Sequence, residues 1–305
     1  MRALPKAALT GTLTVALFLA LPFIYGNHAL LFDLMMYMTL AQGINVLYGF
    51  TGYLPFGYVG FFGAGAYGAA LSIRMLHAQP LPALALGGLA AVLVALLFAP
   101  LLRLSGAYFS IASLAASEAL YEVVANPHLT RFTRGPYGIS LASVYAPKMS
   151  YDTMAGILAI ALAVVLYLRG SRRGLALRAV RDDAVAAAAA GIPVVRLRIA
   201  AWLTSALLAG LAGGAFAWHL SVFYPETVFN LNTGIFAIVF TLFGGVATLA
   251  GPIVGTLVLY GLYNWIGITQ PQYFDLIFGT AIVLLALFLP DGLASLLRRG
   301  GIDVP

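Results

Sequence analysis

The stretch RGSRRGLALRAVRDDAVAAAAAGIPVVRLR, residues 169–198, decides how the rest of the chain is arranged. It holds seven of the sixteen Lys and Arg residues, and hydrophobic runs long enough to cross a bilayer flank it on both sides. Because Lys and Arg resist translocation, a basic segment between two spans belongs on the cytoplasmic face. The sequence therefore predicts a cytoplasmic loop over 170–198.

The middle of this loop has the composition of a helix. Gly174 and Gly191 bracket it, and its interior over 184–190 is almost all alanine, the best helix former. Arg178 and Asp182 stand four apart, so they can pair on one face of that helix. Two interpretations stay open at this point: a solvated connecting helix, or a helix that docks on a cytoplasmic partner.

Composition makes the chain a membrane protein. It is 62% hydrophobic and 9% charged, with a mean hydropathy of +0.97, whereas about 20 apolar residues suffice to cross the hydrocarbon core. Long apolar runs without period-2 alternation favour helices over a barrel. We therefore predict an all-α polytopic protein, one transmembrane domain over 1–305, with about ten spans. The predicted spans are 8–25, 29–48, 55–76, 82–102, 105–125, 153–169, 199–222, 231–246, 249–267 and 273–290.

An even number of spans puts both termini on one side. Placing the termini in the cytoplasm leaves only four of the sixteen basic residues outside, namely Arg74, Arg131, Arg134 and Lys148. This orientation follows the positive-inside rule and predicts a multi-pass protein with both termini cytoplasmic. Orientation and anionic lipid explain the net charge of +6, so the charge does not indicate a nucleic-acid partner.

The longest predicted external segment covers 126–152. It is rich in Pro and Gly, which is typical of a turn-rich loop. The predicted spans divide five and five around it. An odd number of spans per half would make any internal repeat inverted in topology, a common plan in transporters.

Two glycine clusters interrupt the spans. They are GFTGYLPFGYVGFFGAGAYG at 49–68 and FGGVATLAGPIVG at 243–255. Close helix packing explains many of these glycines, but Pro55 and Pro252 beside them indicate broken or re-entrant backbone. Interrupted segments in both halves point to a transport pathway. The pathway candidates from these clusters are Gly49, Gly52, Gly57, Gly244, Gly245, Gly251 and Pro252.

Polar residues inside the spans supply two further pathway candidates. Asn45 either lines a path or bonds a neighbouring helix. Glu118 stands four residues before Glu122 on one helical face, and like charges at that spacing repel. Either a wet cavity or a partner lies beside Glu118, or the two glutamates belong to a solvated helix end.

The chain carries no recognisable catalytic or energy-coupling motif of its own. The four histidines lack metal-ligand spacing, and there is no GxSxG nucleophile arrangement and no phosphate loop. We therefore predict no enzyme, no metal site and no cofactor on this chain. A docked ATPase is the natural energy source. The alternative, an ion-coupled secondary transporter, would have to use Glu118 and Glu122.

Several ordered blocks resemble the LivM-type permease subunit of bacterial ABC importers for branched-chain amino acids. They lie at 45–71, 104–124, 133–139, 174–192, 243–259 and 288–297. In the first block, Pro55 and Tyr58 replace the common Ser and His. In the third, Arg134 and Pro136 depart from the family pattern. The resemblance covers nearly the whole chain.

The block at 174–192 resembles the family's loop that contacts the ATPase. The resemblance implies that this loop contains a coupling helix. Ala184 and Ala188 stand where acidic residues are usual, so the implied contact is mainly packing of small residues. The implied coupling residues are Arg178, Arg181, Asp182, Asp183, Ala186, Ala187 and Gly191.

The resemblance also implies an assembly in the bacterial inner membrane. This chain and a second homologous permease subunit would join two cytoplasmic ATP-binding subunits and a periplasmic substrate-binding protein. ATP and Mg would bind to the partner subunits. The implied function is translocation of branched-chain amino acids into the cytoplasm. Relatives that move urea, short amides or carboxylic acids leave those substrates open as alternatives.

Overall fold

The computed structural model describes residues 3–269 and the isolated positions 276, 279, 280 and 283. The described residues are helical apart from turns and one antiparallel pair of two-residue strands, β1 (Ile139–Ser140) and β2 (Val222–Phe223). The chain is thus a polytopic helical membrane protein. Its helices are α1 Ala3–Ala20, α2 His28–Ile44, α3 Val59–Leu76, α4 Pro80–Phe98, α5 Gly106–Ala125, α6 Thr130–Thr133, α7 Pro147–Gly170, α8 Arg172–Asp182, α9 Ala184–Ala189, α10 Val194–Leu220, α11 Pro225–Val228, α12 Leu231–Gly244 and α13 Ala250–Thr269.

Within the described residues, six helical segments are long and apolar enough to cross a membrane, fewer than the ten predicted. They are His28–Gly49, Val59–Leu76, Pro80–Arg103, Pro147–Gly170, Val194–Leu220 and Pro225–Gly244. Helices α1, α5 and α13 stand where the first, fifth and ninth spans were predicted. Residues Ala7–Phe23 form a shorter apolar helix, and three serines and two glutamates lower the hydropathy of α5. The tenth predicted span, 273–290, lies outside the described residues except for isolated positions, so the inverted repeat stays a prediction.

One end of the helix bundle carries most of the arginines, and we call it the arginine face. There the Arg181 Nη1 donates to the Gly49 carbonyl at 2.6 Å. The Arg198 guanidinium lies 4.8 Å from the centre of the Tyr53 ring, and the Tyr53 hydroxyl donates to the Leu102 carbonyl at 3.4 Å. The end of α2, the start of α10 and the segment after α4 therefore meet at this face.

The opposite end, which we call the loop face, gathers the segment between α5 and α7. The Trp218 Nε1 donates to the Val144 carbonyl at 2.8 Å, and the Tyr151 hydroxyl donates to the Phe18 carbonyl at 2.6 Å. The antiparallel pairing of β1 with β2 is a third contact, and it connects the loop to the segment after α10. The helix α7 begins at Pro147, six residues before the predicted span, because proline is well suited to a first helical turn. The loop is thus shorter than the predicted 126–152.

Helices α3, α4 and α10 form the most closely packed part of the bundle. A Cβ added at Gly65 of α3 would overlap the backbone of Gly210 in α10, and one at Gly87 of α4 would lie 2.5 Å from the Gly65 carbonyl. Glycine at these positions lets the three backbones approach each other closely. The buried Trp202 Nε1 donates to the Ala95 carbonyl at 2.7 Å and holds α10 against α4.

The segment between α7 and α10 contains two helices rather than the single helix predicted over 174–191. The backbone of Asp183 is extended, with φ −153° and ψ 107°, and separates α8 from α9. The Asp183 carboxylate accepts hydrogen bonds from the Val185 and Ala186 amides at 2.8 and 3.0 Å. An aspartate in that position begins a new helix by capping it, so the alanine-rich part is only the short α9.

Candidate functional site

A buried asparagine joins the two interrupted regions of the chain. The helix α2 continues into a π-helical segment, Asn45–Gly49, and such segments are frequent at functional sites. Asn45 is fully buried. Its Nδ2 donates to the Thr248 carbonyl at 2.8 Å, and its Oδ1 accepts from the Ala247 amide at 2.7 Å. Of the two roles considered for Asn45, the structure shows bonding to a neighbouring segment.

A second buried amide on the same helix extends this contact. The Gln42 Nε2 donates to the Leu249 carbonyl at 2.7 Å, and the Asn45 Nδ2 lies 3.2 Å from the Gln42 Oε1. Three consecutive residues of the 245–249 turn are thus held by two side chains of one helix. We call Gln42, Asn45 and this turn the amide clamp.

The turn held by the clamp depends on glycine. Helix α12 ends at Gly244, and Gly245 has a φ of 113°, a conformation that favours glycine. A Cβ added at Gly244 would overlap the Gly251 carbonyl, and one at Gly251 would overlap the Gly245 carbonyl. Pro252 lies in the first turn of α13, where an amide donor is not needed. These four pathway candidates form a buried, close-packed turn.

The other interrupted region, 50–58, is held by a row of serines on α5. Ser110, Ser113 and Ser117 are buried at i, i+3 and i+7 spacing. The Ser110 hydroxyl donates to the Leu54 carbonyl at 2.7 Å, and the Ser113 hydroxyl accepts from the Gly57 amide at 3.3 Å. A Cβ at Gly57 would overlap the Ser113 carbonyl. These serines were not among the predicted site residues, although their spacing marks one helical face.

Tyr58, which stands where the resembled family commonly has His, is fully buried. Its hydroxyl donates to the Ser205 carbonyl of α10 at 2.9 Å, and the Ser205 hydroxyl donates to the Gly43 carbonyl of α2 at 2.7 Å. The space opposite Gly43 is filled by the Tyr58 ring, because a Cβ at Gly43 would overlap the Tyr58 hydroxyl. The tyrosine therefore joins α2 and α10 beside the interrupted segment.

The predicted coupling residues and the predicted pathway residues meet at Arg181. Its guanidinium, carried on α8, bonds the carbonyl of Gly49, the last residue of the π-helical segment. The side chain also passes Gly52, whose φ is 79° and whose added Cβ would lie 3.5 Å from the Arg181 Cγ. A Cβ at Gly49 would overlap the Asn45 Oδ1 and approach the Ala247 amide at 2.8 Å. One continuous set of contacts therefore runs from α8 to the amide clamp.

The remaining coupling candidates on α8 have local roles or face solvent. Arg178 donates from Nε to the carbonyl of Gly174 in its own helix at 3.4 Å, rather than pairing with Asp182 as the spacing had indicated. Asp182 is exposed at the end of α8. Neither residue contributes to the path from Arg181 to the clamp.

The coupling candidates on α9 divide into an inner and an outer side. Ala187 is 5% exposed and packs inside the protein, whereas Ala186 is exposed. Gly191 has a φ of 82° and ends the helix, with the Ile192 amide donating to the Ala187 carbonyl at 3.0 Å. This hydrogen-bond pattern is a Schellman motif, which satisfies helix-end carbonyls. The predicted stop at Gly191 is thus present.

Glu118 lies apart from the clamp. It and Glu122 are exposed in the loop-face half of α5, on a different side of the helix from the serine row. Tyr121 between them lines a cavity of about 110 Å³ together with Glu226 and residues of the loop. Among the described residues, no group of three His, Asp or Glu side chains has the arrangement of a metal site.

The apolar helices, the two interrupted regions and the polar contacts between them define a multi-span membrane protein. Residues 28–287 match the family model of the branched-chain amino acid transport system / permease component. Because the match covers more than half of the chain, the chain belongs to this family of transport permeases, which are not enzymes.

Named relatives agree with this family. The chain is 27% identical over 296 residues to the high-affinity branched-chain amino acid transport system permease protein LivM of Salmonella typhimurium, and the match covers 87% of this chain and 69% of that protein. It is 29% identical to LivM of Escherichia coli over the same shares. The L-arabinose ABC transporter permease protein AraH of Azospirillum brasilense is 30% identical over 39% of this chain and 37% of its own length. No solved structure matches the chain.

Proposed function

We propose that this chain is a membrane subunit of an ABC importer that carries branched-chain amino acids into the cytoplasm. The family and the two LivM relatives support this substrate class. In the proposed assembly, a second permease subunit completes the pathway and a periplasmic protein delivers the solute. Two cytoplasmic subunits bind ATP and Mg and supply the energy.

The observation that carries the coupling proposal is the bond from Arg181 to Gly49. A guanidinium hydrogen bond at 2.6 Å joins the cytoplasmic α8 directly to the interrupted backbone inside the bundle. The same backbone reaches α12 and α13 through Asn45. A displacement of α8 by the ATPase would therefore move the π-helical segment and the clamp together, which is how nucleotide binding would favour one conformation of the pathway over another.

The outer surface of the 170–198 loop supports docking of a partner rather than plain solvation. Leu175, Val185 and Val195 are 64%, 80% and 68% exposed, although the loop is otherwise strongly charged. Exposed apolar side chains rimmed by polar residues are typical of protein interfaces. Because Ala187 is buried, the proposed contact surface of α9 consists of Val185, Ala186 and the exposed Asp183 at the start of the helix.

We propose two different roles for the pathway candidates. Gly49, Gly57, Gly244 and Gly251 are packed against backbone atoms, which favours a role of the glycine clusters as hinges rather than as walls of an open path. Glu118 is exposed about two turns before the end of α5, and ionisable side chains within membrane spans usually face a water-filled cavity or the bundle interior rather than lipid. The outer face of α5 therefore borders the water-accessible pathway beside the second permease subunit in our proposal.

The distribution of charge supports the arginine face as the cytoplasmic face. Among the described side chains, eight arginines belong to the arginine face and four basic residues belong to the loop face, and cytoplasmic segments carry the excess of Lys and Arg. The eight are Arg103, Arg169, Arg172, Arg173, Arg178, Arg181, Arg196 and Arg198. With α1 starting at the same face, the N-terminus is cytoplasmic in this proposal, and the predicted span 273–290 would return the C-terminus to the same side.

Uptake by the complete transporter tests the substrate and the energy source. Proteoliposomes containing this chain and its co-encoded partners should accumulate radiolabelled leucine, isoleucine or valine when ATP is enclosed, with or without a proton-gradient uncoupler. Uptake driven by an ion gradient without ATP would overturn the ABC assignment. ATP-driven uptake of urea, short amides or carboxylic acids in place of leucine would reassign the substrate.

The coupling route is tested by Arg181→Met in the same proteoliposomes. Loss of the guanidinium removes the bond to Gly49, so we expect ATP hydrolysis to continue while leucine uptake falls at least tenfold. Arg172→Met is the matched control, because Arg172 is an exposed arginine of the same helix that has no bond to the bundle interior. Equal uptake by Arg181→Met and the control would refute the route through Gly49.

A further inference from the structure

An open groove of about 260 Å³ lies at the arginine face between α7, α8 and α10. The side chains of α7 and α10 that line the groove are mostly apolar. At the end next to α8, the groove is lined by a cationic side chain, Arg173. The residues that form its walls and this end include Val164, Tyr167, Leu168, Arg173, Ala200 and Thr204.

The cationic end of the groove contains arginines from two elements. Arg173 of α8 is exposed and lines the groove directly. Arg196 is also exposed and precedes Ala200 by four residues on α10. It therefore lies on the groove side of α10, one turn nearer the first residue of that helix. The surrounding stretch 169–198 holds seven arginines against two aspartates.

The groove crosses the boundary between hydrocarbon and water. Both α7 and α10 are long and apolar enough to span the membrane, and Tyr167 in the groove wall is 55% exposed on the last turns of α7. Exposed tyrosines at the end of a span are enriched at the level of lipid headgroups. The apolar walls of the groove then lie at acyl-chain depth, and the arginines lie at headgroup depth.

We propose that this groove binds an anionic phospholipid. One acyl chain lies along the walls formed by α7 and α10, and the phosphate of the headgroup contacts Arg173 and Arg196. Basic pockets between transmembrane helices suit acidic headgroups through this combination of charge and apolar depth. The proposal requires only that α7 and α10 span the membrane, and it holds whichever solute is transported.

The test uses the full chain, purified in detergent and titrated with dioleoylphosphatidylglycerol or with neutral dioleoylphosphatidylcholine, with bound lipid counted by native mass spectrometry. We expect tighter binding of phosphatidylglycerol. Each arginine contributes about fivefold, so the double variant Arg173→Gln with Arg196→Gln should bind phosphatidylglycerol roughly twenty-five-fold more weakly. Ala200→Trp fills the apolar part of the groove and should weaken binding of both lipids.

The double variant Arg131→Gln with Arg134→Gln is the matched control, because it removes the same charge from the loop face and should leave lipid binding unchanged. The proposal fails if this control loses as much affinity as the groove variant, or if the groove variant binds phosphatidylglycerol normally. It also fails if inorganic phosphate alone displaces the bound lipid while Ala200→Trp has no effect. Normal lipid binding combined with weakened assembly of the groove variant with the ATPase would reassign the surface to protein docking.

Discussion

Replacing Asn45 with leucine tests whether the amide clamp holds the two interrupted regions together. Leucine has the same number of side-chain heavy atoms and a similar branched shape, but it neither donates nor accepts hydrogen bonds. It would leave the Thr248 carbonyl and the Ala247 amide without the partners they have in the structure, at 2.8 and 2.7 Å. It would also remove the amide that faces the Gln42 Oε1.

The cost follows from the burial of these groups. Asn45 is fully buried and Thr248 is 3% exposed, so water cannot replace the bond to the Thr248 carbonyl without opening the packing, whereas Ala247 is only half-buried. A buried acceptor left without a partner costs about 1–3 kcal/mol, and the half-buried Ala247 amide adds about 1 kcal/mol. The free energy of unfolding should therefore fall by about 2–4 kcal/mol, and at roughly 2 °C per kcal/mol for a chain of this size the melting temperature should fall by about 4–8 °C.

Thr39→Val is the matched control on the same helix. Thr39 is also fully buried, but its hydroxyl bonds only the Met35 carbonyl of its own helix, at 2.8 Å. That carbonyl keeps its helical partner when the hydroxyl is lost, so the control should cost less than about 1 kcal/mol. Melting of the detergent-purified chain, followed by tryptophan fluorescence, separates the two outcomes. If Asn45→Leu melts as the control does, the clamp contributes nothing to the fold and the inferred path from Arg181 to α12 is refuted.

Four further perturbations probe the turn, the loop and the orientation. Gly251→Ala places a methyl group on the Gly245 carbonyl and should cost about 1–3 kcal/mol by overpacking; unchanged melting would contradict the close packing. Gly191→Ala meets no atom within 4 Å but must adopt a φ of 82°, so it should cost only about 1 kcal/mol, and a larger drop in melting temperature would contradict an open site. Asp183→Ala removes the cap of α9, worth about 1 kcal/mol, and hydrogen exchange at the two capped amides should accelerate roughly fivefold; unchanged exchange would mean that α9 does not need the cap. Because the chain has no cysteine, Lys148→Cys should react with an impermeant maleimide added to intact spheroplasts and Arg173→Cys should not, and the reverse pattern would invert the proposed orientation.

Patterns along the chain predicted the helices and their interruptions because those features depend on neighbouring residues. Gly52 and Pro55 predicted the break after α2 because glycine and proline disfavour helix interiors, and long apolar runs predicted helices because a helix satisfies its own backbone in lipid. The partners of Asn45 were not predictable, because Ala247 lies 202 residues further along the chain and only the packing of α12 and α13 on α2 brings it close. Nothing in the periodicity of a six-residue helix such as α9 shows that Ala187 faces inward.

The division of the 170–198 loop into α8 and α9 is a local feature with a signal in the sequence, but the high alanine content hid that signal. Two aspartates precede the alanine run, and an aspartate just before a helical stretch marks a helix start. High alanine content instead favoured one continuous helix. This difference matters for function. In a single helix over 174–191, the exposed surface and Arg181 would move together as one rigid unit.

Because the loop is divided at Asp183, its two proposed roles belong to different helices: α9 docks the partner, and α8 connects to the bundle through Arg181. Helix α8 packs against α7 and α10 and carries the only bond from the loop to the π-helical segment that the described residues show. Helix α9 presents Val185, which is 80% exposed, and is fixed at its ends by the Asp183 cap and the Gly191 stop. A partner that grips α9 can therefore move Arg181 through the extended Asp183 backbone, and it can move α10 through the Gly191 turn and the packing of α9 against α10. Coupling through Arg181 in the proposed importer depends on the rigidity of the Asp183 junction as much as on the affinity of the docking surface.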